Sequence, residues 1–162
     1  SMSTAKKKKV TSADKVTEDM FVSLIFRGKE LDPGDITTKL CLQPFYSFKR
    51  GDIRKDGSRI WTHGCWMYRT SEEINSEDFL THINWLVDRI EPVKHQLFEI
   101  NSNEKIESEI SCYWVMPSNH EVLNLSPELL TRLAAIGLSI KFSIYSPYQE
   151  KTNLGSAIEP AD

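Results

Sequence analysis

The sequence predicts an α+β fold in which a mixed, largely antiparallel sheet packs against helices. Segments that alternate between apolar and polar residues, as half-buried strands do, occur on both sides of a long helical pattern. Two segments far apart in the chain each read as strand, helix and strand, with a hairpin and the long helix between them. With 162 residues, 40% hydrophobic and 27% charged, the chain has the size and composition of one soluble globular domain.

The limits of this domain follow from the two ends of the chain, which are polar and have no apolar period. Four consecutive lysines lie at residues 6–9, in a stretch with almost no apolar periodicity. We therefore expect residues 1–19 to form a disordered N-terminal tail, residues 20–148 a single α+β domain, and residues 149–162 a flexible C-terminal tail.

The first strand–helix–strand unit begins at residues 21–27 (FVSLIFR), which are rich in β-branched and aromatic residues. One face of this strand holds Val22, Leu24 and Phe26. Its other face is also largely apolar, as in a central strand. Asp32 is a suitable N-cap and Pro33 suits the first position of the helix that follows. Residues 45–48 complete the unit as an extended segment.

A hairpin is expected around Asp56-Gly57, which is a preferred two-residue turn, with extended stretches at Ile53 and Ile60. In the next strand, one side is predicted to hold Trp61, His63, Cys65 and Met67. Trp66 and Tyr68 then face the opposite side.

The long helix is predicted from a continuous apolar stripe with steps of three and four residues. The stripe consists of Phe79, Ile83, Leu86, Ile90, Val93 and Leu97. Asn75 or Ser76 can cap its start, and Pro92 is expected to kink it or to begin a second short helix.

The second strand–helix–strand unit starts with residues 106–116, where apolar and polar residues alternate as in a half-buried antiparallel strand. Ser126 caps the next helix, Pro127 takes its first position, and Gly137 ends it. The predicted buried side of this helix is Leu130, Leu133 and Ala134. The predicted last strand contains Ile140, Phe142 and Ile144.

Signatures of catalysis and of cofactor binding are missing from the sequence. It has no glycine-rich phosphate loop, no GxSxG or HExxH motif, and no pair of CxxC motifs. We therefore assign no catalytic, cofactor-binding or metal-binding residue and expect a protein that is not an enzyme. The three cysteines are widely spaced in apolar surroundings, which indicates buried, reduced thiols. Since the sequence also has no apolar run of about 18 residues and no secretory signal, we expect a cytoplasmic protein.

Charge is distributed unevenly, which favours a role in binding a partner. Residues 27–69 contain nine Lys or Arg and five Asp or Glu, whereas residues 72–128 contain three and twelve. Such asymmetry can orient a charged partner and speed its association. The candidate partner-binding residues are Glu72, Glu73, Glu77, Asp78, Glu107 and Glu109. The acidic balance disfavours nucleic acid, and a homodimer through a free strand edge is a further expectation.

Two alternatives belong to other functional classes. A small-molecule binding module would use an aromatic pocket, for which the candidates are Trp61, His63, Trp66 and Trp114. An enzyme with an unrecognised site would show a cluster of perturbed pKa values in a cleft.

The order of these segments resembles a bacterial protein family catalogued as domain of unknown function 4279. The resemblance rests on FVSLIFRG, LDPGDITTKL, KRGD at residues 49–52, GCWMY at residues 64–68, the helix through Trp85, and LSPELLTRLAAIGLSIKFSIY. It covers residues 20–148. The family has no established catalytic residues to assign. The resemblance implies a small cytoplasmic protein of the kind suspected to serve as immunity proteins, which would make a cognate toxin the partner.

Overall fold

The structure is a computed structural model that describes residues 19–70 and 74–147. Within these residues it contains five strands and four α-helices. The strands are β1 (Met20–Gly28), β2 (Tyr46–Phe48), β3 (Gly64–Arg69), β4 (Glu107–Val115) and β5 (Ser139–Tyr145). The helices are α1 (Pro33–Leu40), α2 (Phe79–Ile90), α3 (Lys94–Asn101) and α4 (Pro127–Ile136).

The five strands form one mixed sheet in the order β2-β3-β1-β4-β5. β1 is central and pairs antiparallel with both β3 and β4, whereas β4 and β5 are parallel. Because β3 is antiparallel to both of its neighbours, β1 and β2 run in the same direction with β3 between them. Both strand–helix–strand units therefore join parallel strands, and the predicted α+β fold is confirmed.

All four helices contribute to a core on one face of the sheet. α1, α2 and α3 contact the sheet directly, and α4 packs against α2 and α3. The apolar face of β1 predicted from the sequence lies here, and its three side chains Val22, Leu24 and Phe26 have no solvent exposure. Burial of this apolar surface is the main source of stability.

Capping residues define where the helices begin. The Asp32 side chain accepts a hydrogen bond from the Gly34 N–H, and the Ser126 side chain accepts one from the Leu129 N–H, so both predicted caps are confirmed. The cap of α2 is Asp78, which accepts from the Leu80 N–H, and the prediction of Asn75 or Ser76 is wrong.

The predicted long helix is divided at Pro92. α2 ends at Ile90, a 3₁₀ turn covers Glu91–Val93, and α3 begins at Lys94. This agrees with the expectation of a second short helix, because proline lacks the N–H that would continue the ladder.

The predicted buried side of α4 is partly wrong. Leu129, Leu133 and Ile136 are buried, whereas Leu130 is 48% exposed and Ala134 is exposed. The predicted and the observed buried sides share Leu133, and the observed side is rotated about the helix axis by about 100°, the angle between consecutive residues.

A second, smaller apolar cluster lies on the other face of the sheet. It contains Ile25, Phe48, Trp61, Cys65 and Met67. The hairpin segment covers this cluster, and the Trp61 ring stacks on the Phe48 ring with the ring centroids 3.6 Å apart. The antiparallel Ile53–Ile60 bridge confirms the predicted hairpin. Its turn differs from the prediction by one residue, because the Gly57 N–H donates to the Arg54 carbonyl oxygen and the central residues are therefore Lys55 and Asp56.

A buried polar chain ties α2 to the centre of the sheet. Thr70 Oγ1 accepts a hydrogen bond from the Val22 N–H at 3.1 Å and lies 2.7 Å from Nδ1 of His82. His82 Nε2 lies 2.9 Å from the Ser76 carbonyl oxygen. The Thr70 hydroxyl therefore donates to Nδ1. When the ring is neutral with its proton on Nε2, every polar group in this series of hydrogen bonds has a partner. Burial lowers the pKa of His82 and favours this neutral form.

No helix within residues 19–70 and 74–147 is long and apolar enough to cross a membrane.

Candidate functional site

The open face of the sheet, opposite the helices, carries a groove over β1, β4 and β5. The hairpin covers β2 and β3 on this face, and the groove begins where that cover ends. The hollow has a volume of about 260 Å³. We call it the open-face groove, and its principal polar residues are Ser23, Arg27, Glu109, Ser111, Tyr113 and Lys141.

Strand pairing places the residues of the groove in rows across the sheet. One row runs from Arg69 on β3 through Ser23 on β1 and Ser111 on β4 to Lys141 on β5. Neighbouring strands are about 4.8 Å apart, so two hydroxyls lie side by side at the middle of this row. Lys141 is exposed at its β5 end and has no ion-pair partner in the part of the chain that the structure describes.

Ser23 is the most unusual residue of the groove. It is 1% exposed, and its Oγ has no hydrogen-bond partner among the described residues. Buried polar side chains nearly always have a partner, and an unsatisfied hydroxyl costs about 1–3 kcal/mol. A polar group that enters the groove and reaches its floor would satisfy this hydroxyl.

An ion pair forms one wall of the groove. Arg27 Nη1 lies 2.6 Å from Glu109 Oε1, and both side chains are largely buried. The two charges cancel locally, so Glu109 is already neutralised within the protein. Arg27 also lines a neighbouring hollow of about 400 Å³ that contains Lys29, His63 and Lys105.

Aromatic side chains close one end of the groove. The rings of Phe21 and Tyr113 stack with their centroids 4.7 Å apart, and the centroid of the Tyr145 ring lies 5.4 Å from that of Tyr113. Burial, Tyr145 and the carboxylate of Asp19 raise the pKa of Tyr113. Its phenol therefore keeps its proton at neutral pH and can donate a hydrogen bond.

The predicted partner-binding acids lie at two separate places. Glu77 and the cap Asp78 are exposed at the start of α2, whereas Glu107 and Glu109 lie on the open face. The ring of Phe79, next to Asp78, stacks on Trp114, which is seven residues beyond Glu107 on β4. Seven strand residues span about 23 Å. The positions predicted at Glu72 and Glu73 lie outside the described residues.

The predicted aromatic pocket residues do not converge on one pocket. Trp66 and Trp114 are buried on the helix side, where Trp66 Nε1 donates to Thr37 Oγ1 at 3.0 Å. Trp61 is buried in the cluster on the other face, and the His63 ring is T-shaped to it with the ring centroids 6.0 Å apart. The three tryptophans therefore serve as core residues of two different clusters.

The cysteines are divided between core and surface. Burial raises the pKa of the Cys65 thiol to about 11 and that of Cys112 to about 12. Cys41 is exposed at the end of α1, so the prediction that all three thiols are buried is wrong for this residue. In the described ranges, no three histidine, cysteine or acidic side chains are grouped as metal ligands.

Sequence reasoning did not identify the open-face groove, although its residues carried a signal. Ser23 interrupts an otherwise apolar strand, and Glu109, Ser111 and Tyr113 are the polar side of an alternating strand. These positions become a site only through the pairing of β1 with β4, which links distant segments of the chain.

Comparison with known proteins identifies a family. No curated protein and no solved structure matches the chain. A family model described as "Domain of unknown function (DUF4279)" matches residues 15–147, which is most of the 162-residue chain. The chain therefore belongs to the DUF4279 family.

Proposed function

We propose that this protein is a non-enzymatic binding protein and that the open-face groove receives part of its partner. The observation that carries the proposal is the buried Ser23 hydroxyl, which has no hydrogen-bond partner among the described residues. Leaving it unsatisfied destabilises the free protein. A partner that donates to or accepts from this hydroxyl recovers that free energy on binding.

The chemistry of the two buried thiols and of the groove lining supports binding rather than covalent catalysis. Thiols with pKa values of about 11 and 12, as for Cys65 and Cys112, are protonated at neutral pH, whereas nucleophilic catalysis requires the thiolate. Among the described residues, the groove lining includes serine hydroxyls but no histidine, so none of these hydroxyls has an imidazole base from that part of the chain in the lining.

Neutralisation of a bacterial toxin is the specific form of this function that we propose. It is supported by the family resemblance and by acidic side chains that stay available to a cationic partner. Glu77, Asp78 and Glu107 are exposed, whereas Glu109 is held by Arg27. Reversing the charge of Glu77 tests one end of the sheet and leaves the cap Asp78 intact, and reversing that of Glu107 tests the other end.

A small-molecule binding module is the second candidate, and the mixed polar and aromatic lining of the groove favours it. A hollow of about 260 Å³ is close to the lower limit of typical ligand sites, which is about 300 Å³. In this form the ligand occupies the open-face groove rather than a tryptophan pocket.

Blocking the groove tests the proposal. Ser111→Phe places a ring in the groove, and Ala135→Phe adds the same ring on the exposed side of α4 as a matched control. Partners are captured from host lysate with the wild-type protein at low and high salt, purified, and titrated calorimetrically against all three proteins. We expect Ser111→Phe to weaken binding by at least about tenfold and the control to bind as the wild type does. Equal affinity of Ser111→Phe and the wild type would overturn the assignment of the groove.

A further inference from the structure

We propose that the group that enters the open-face groove is a carboxylate with a single negative charge. This inference rests on the proposed function, since it specifies what the groove receives. It is drawn from the net charge of the lining, from the donors on its floor, and from the occupation of its acidic residue by an ion pair.

Charge selects an anion. The charged residues that line the groove are Arg27, Glu109 and Lys141, which together carry one net positive charge. Arg69, in the same row, lies over the rings of Phe21 and Phe45 and is not part of the lining. Because Arg27 and Glu109 neutralise each other at 2.6 Å, the uncompensated charge is the ammonium group of Lys141. A cationic ligand would have to displace Arg27 from Glu109 and would also meet Lys141. A monoanion cancels the net charge, whereas a phosphate dianion leaves one charge uncompensated.

The floor of the groove selects an acceptor of hydrogen bonds. Ser23, Ser111 and Lys141 occupy consecutive strands in a single row, so two hydroxyls and an ammonium group are neighbours. Hydroxyl and ammonium groups can all donate, and a carboxylate accepts through both of its oxygens. Ser23 supplies a donor that is already desolvated, and such a donor gains most from a charged acceptor.

The same carboxylate chemistry can come from the C-terminus of a peptide, from an acidic side chain, or from a free metabolite. The probes are sodium acetate, N-acetylglycine and its neutral amide, with inorganic phosphate for comparison. Amide chemical shifts of the ¹⁵N-labelled protein are followed during each titration. We expect acetate and N-acetylglycine to cause saturable shifts centred on Ser23, Ser111 and Lys141, with dissociation constants on the order of millimolar, and N-acetylglycinamide to cause none.

Variants separate the groove from general surface charge. Lys141→Gln removes the uncompensated cation, and Lys39→Gln removes an exposed cation on α1, on the opposite side of the sheet. We expect Lys141→Gln to weaken acetate binding about fivefold and Lys39→Gln to leave it unchanged. Ser23→Ala is expected to weaken it about fivefold while raising the melting temperature by about 2–4 °C, because the unsatisfied hydroxyl is gone.

The inference and the proposed function fail in different ways. Shifts that do not saturate, that spread over surface lysines, or that respond equally to Lys39→Gln overturn the carboxylate inference. Tighter binding of phosphate or of the neutral amide than of N-acetylglycine does the same. If Ser111→Phe still weakens partner binding by at least about tenfold in any of these cases, the groove remains the binding site and only its chemical preference is wrong.

Discussion

Thr70→Val removes the hydroxyl at the centre of the buried chain that joins β1 to α2. Valine keeps the shape and volume of threonine, so the change tests hydrogen bonding rather than packing. The Val22 N–H loses its acceptor, and Nδ1 of His82 loses its donor. Both residues are fully buried, so water cannot replace either partner.

The magnitude follows from these two unsatisfied groups. Each costs about 1–3 kcal/mol, so we expect the free energy of unfolding to fall by about 3 kcal/mol. For a domain of this size the melting temperature changes by about 4 °C per kcal/mol, which predicts a loss of about 12 °C.

Urea unfolding followed by tryptophan fluorescence measures this change. The midpoint should fall while the dependence on urea concentration stays constant, because the surface exposed on unfolding is the same. Thr70→Ser is the matched control, since it keeps the hydroxyl and loses one methyl group, at a cost of about 1 kcal/mol. A Thr70→Val protein within 1 kcal/mol of the wild type, or no less stable than Thr70→Ser, would refute the reasoning.

Three further predictions concern titration, reactivity and close packing. Burial lowers the pKa of His82, so the neutral imidazole contributes its full stabilisation above about pH 6.5. This stabilisation is lost as the pH falls below that value, and the Ser76 carbonyl and Asp78 offset part of the loss. Unfolding curves that coincide at pH 7 and pH 5.5 would contradict this. At pH 8, a thiol reagent should modify Cys41 rapidly and the other two cysteines only after unfolding, and equal rates for all three would be inconsistent with their burial. Gly64→Ala should destabilise the protein by about 3 kcal/mol in urea unfolding, because the added Cβ would overlap the Leu31 carbonyl oxygen, and a change below 0.5 kcal/mol would falsify that packing.

Local chemistry explains which parts of the fold could be predicted. Ser126 followed by Pro127 marks the start of α4, because the side-chain cap and the fixed proline backbone act within a few residues. Before α2, three residues that can cap a helix lie within four positions, so the pattern alone could not select Asp78 over Asn75 or Ser76.

The site was harder to predict because it depends on which strands are neighbours. Alternation in β4 showed that Glu109 and Ser111 share a face, yet it did not show that β1 would lie beside them. The same limit applies to the tryptophans: Trp61 and Trp66 are close in sequence but belong to clusters on opposite faces of the sheet. Long-range pairing, rather than local preference, decides both outcomes.

The open-face groove combines residues of β1, the first strand in the sequence, with residues of β5, the last. Ser23 lies on β1 and Lys141 on β5, more than a hundred residues later in the chain. Contacts between such distant segments form late, because closing a long loop costs entropy that only the completed sheet offsets. A nascent or truncated chain that lacks β5 therefore lacks the β5 wall of the groove, including Lys141, and a partner that needs this wall distinguishes the finished molecule from its folding intermediates. Binding would in turn link β1, β4 and β5 and slow the loss of the edge strand β5.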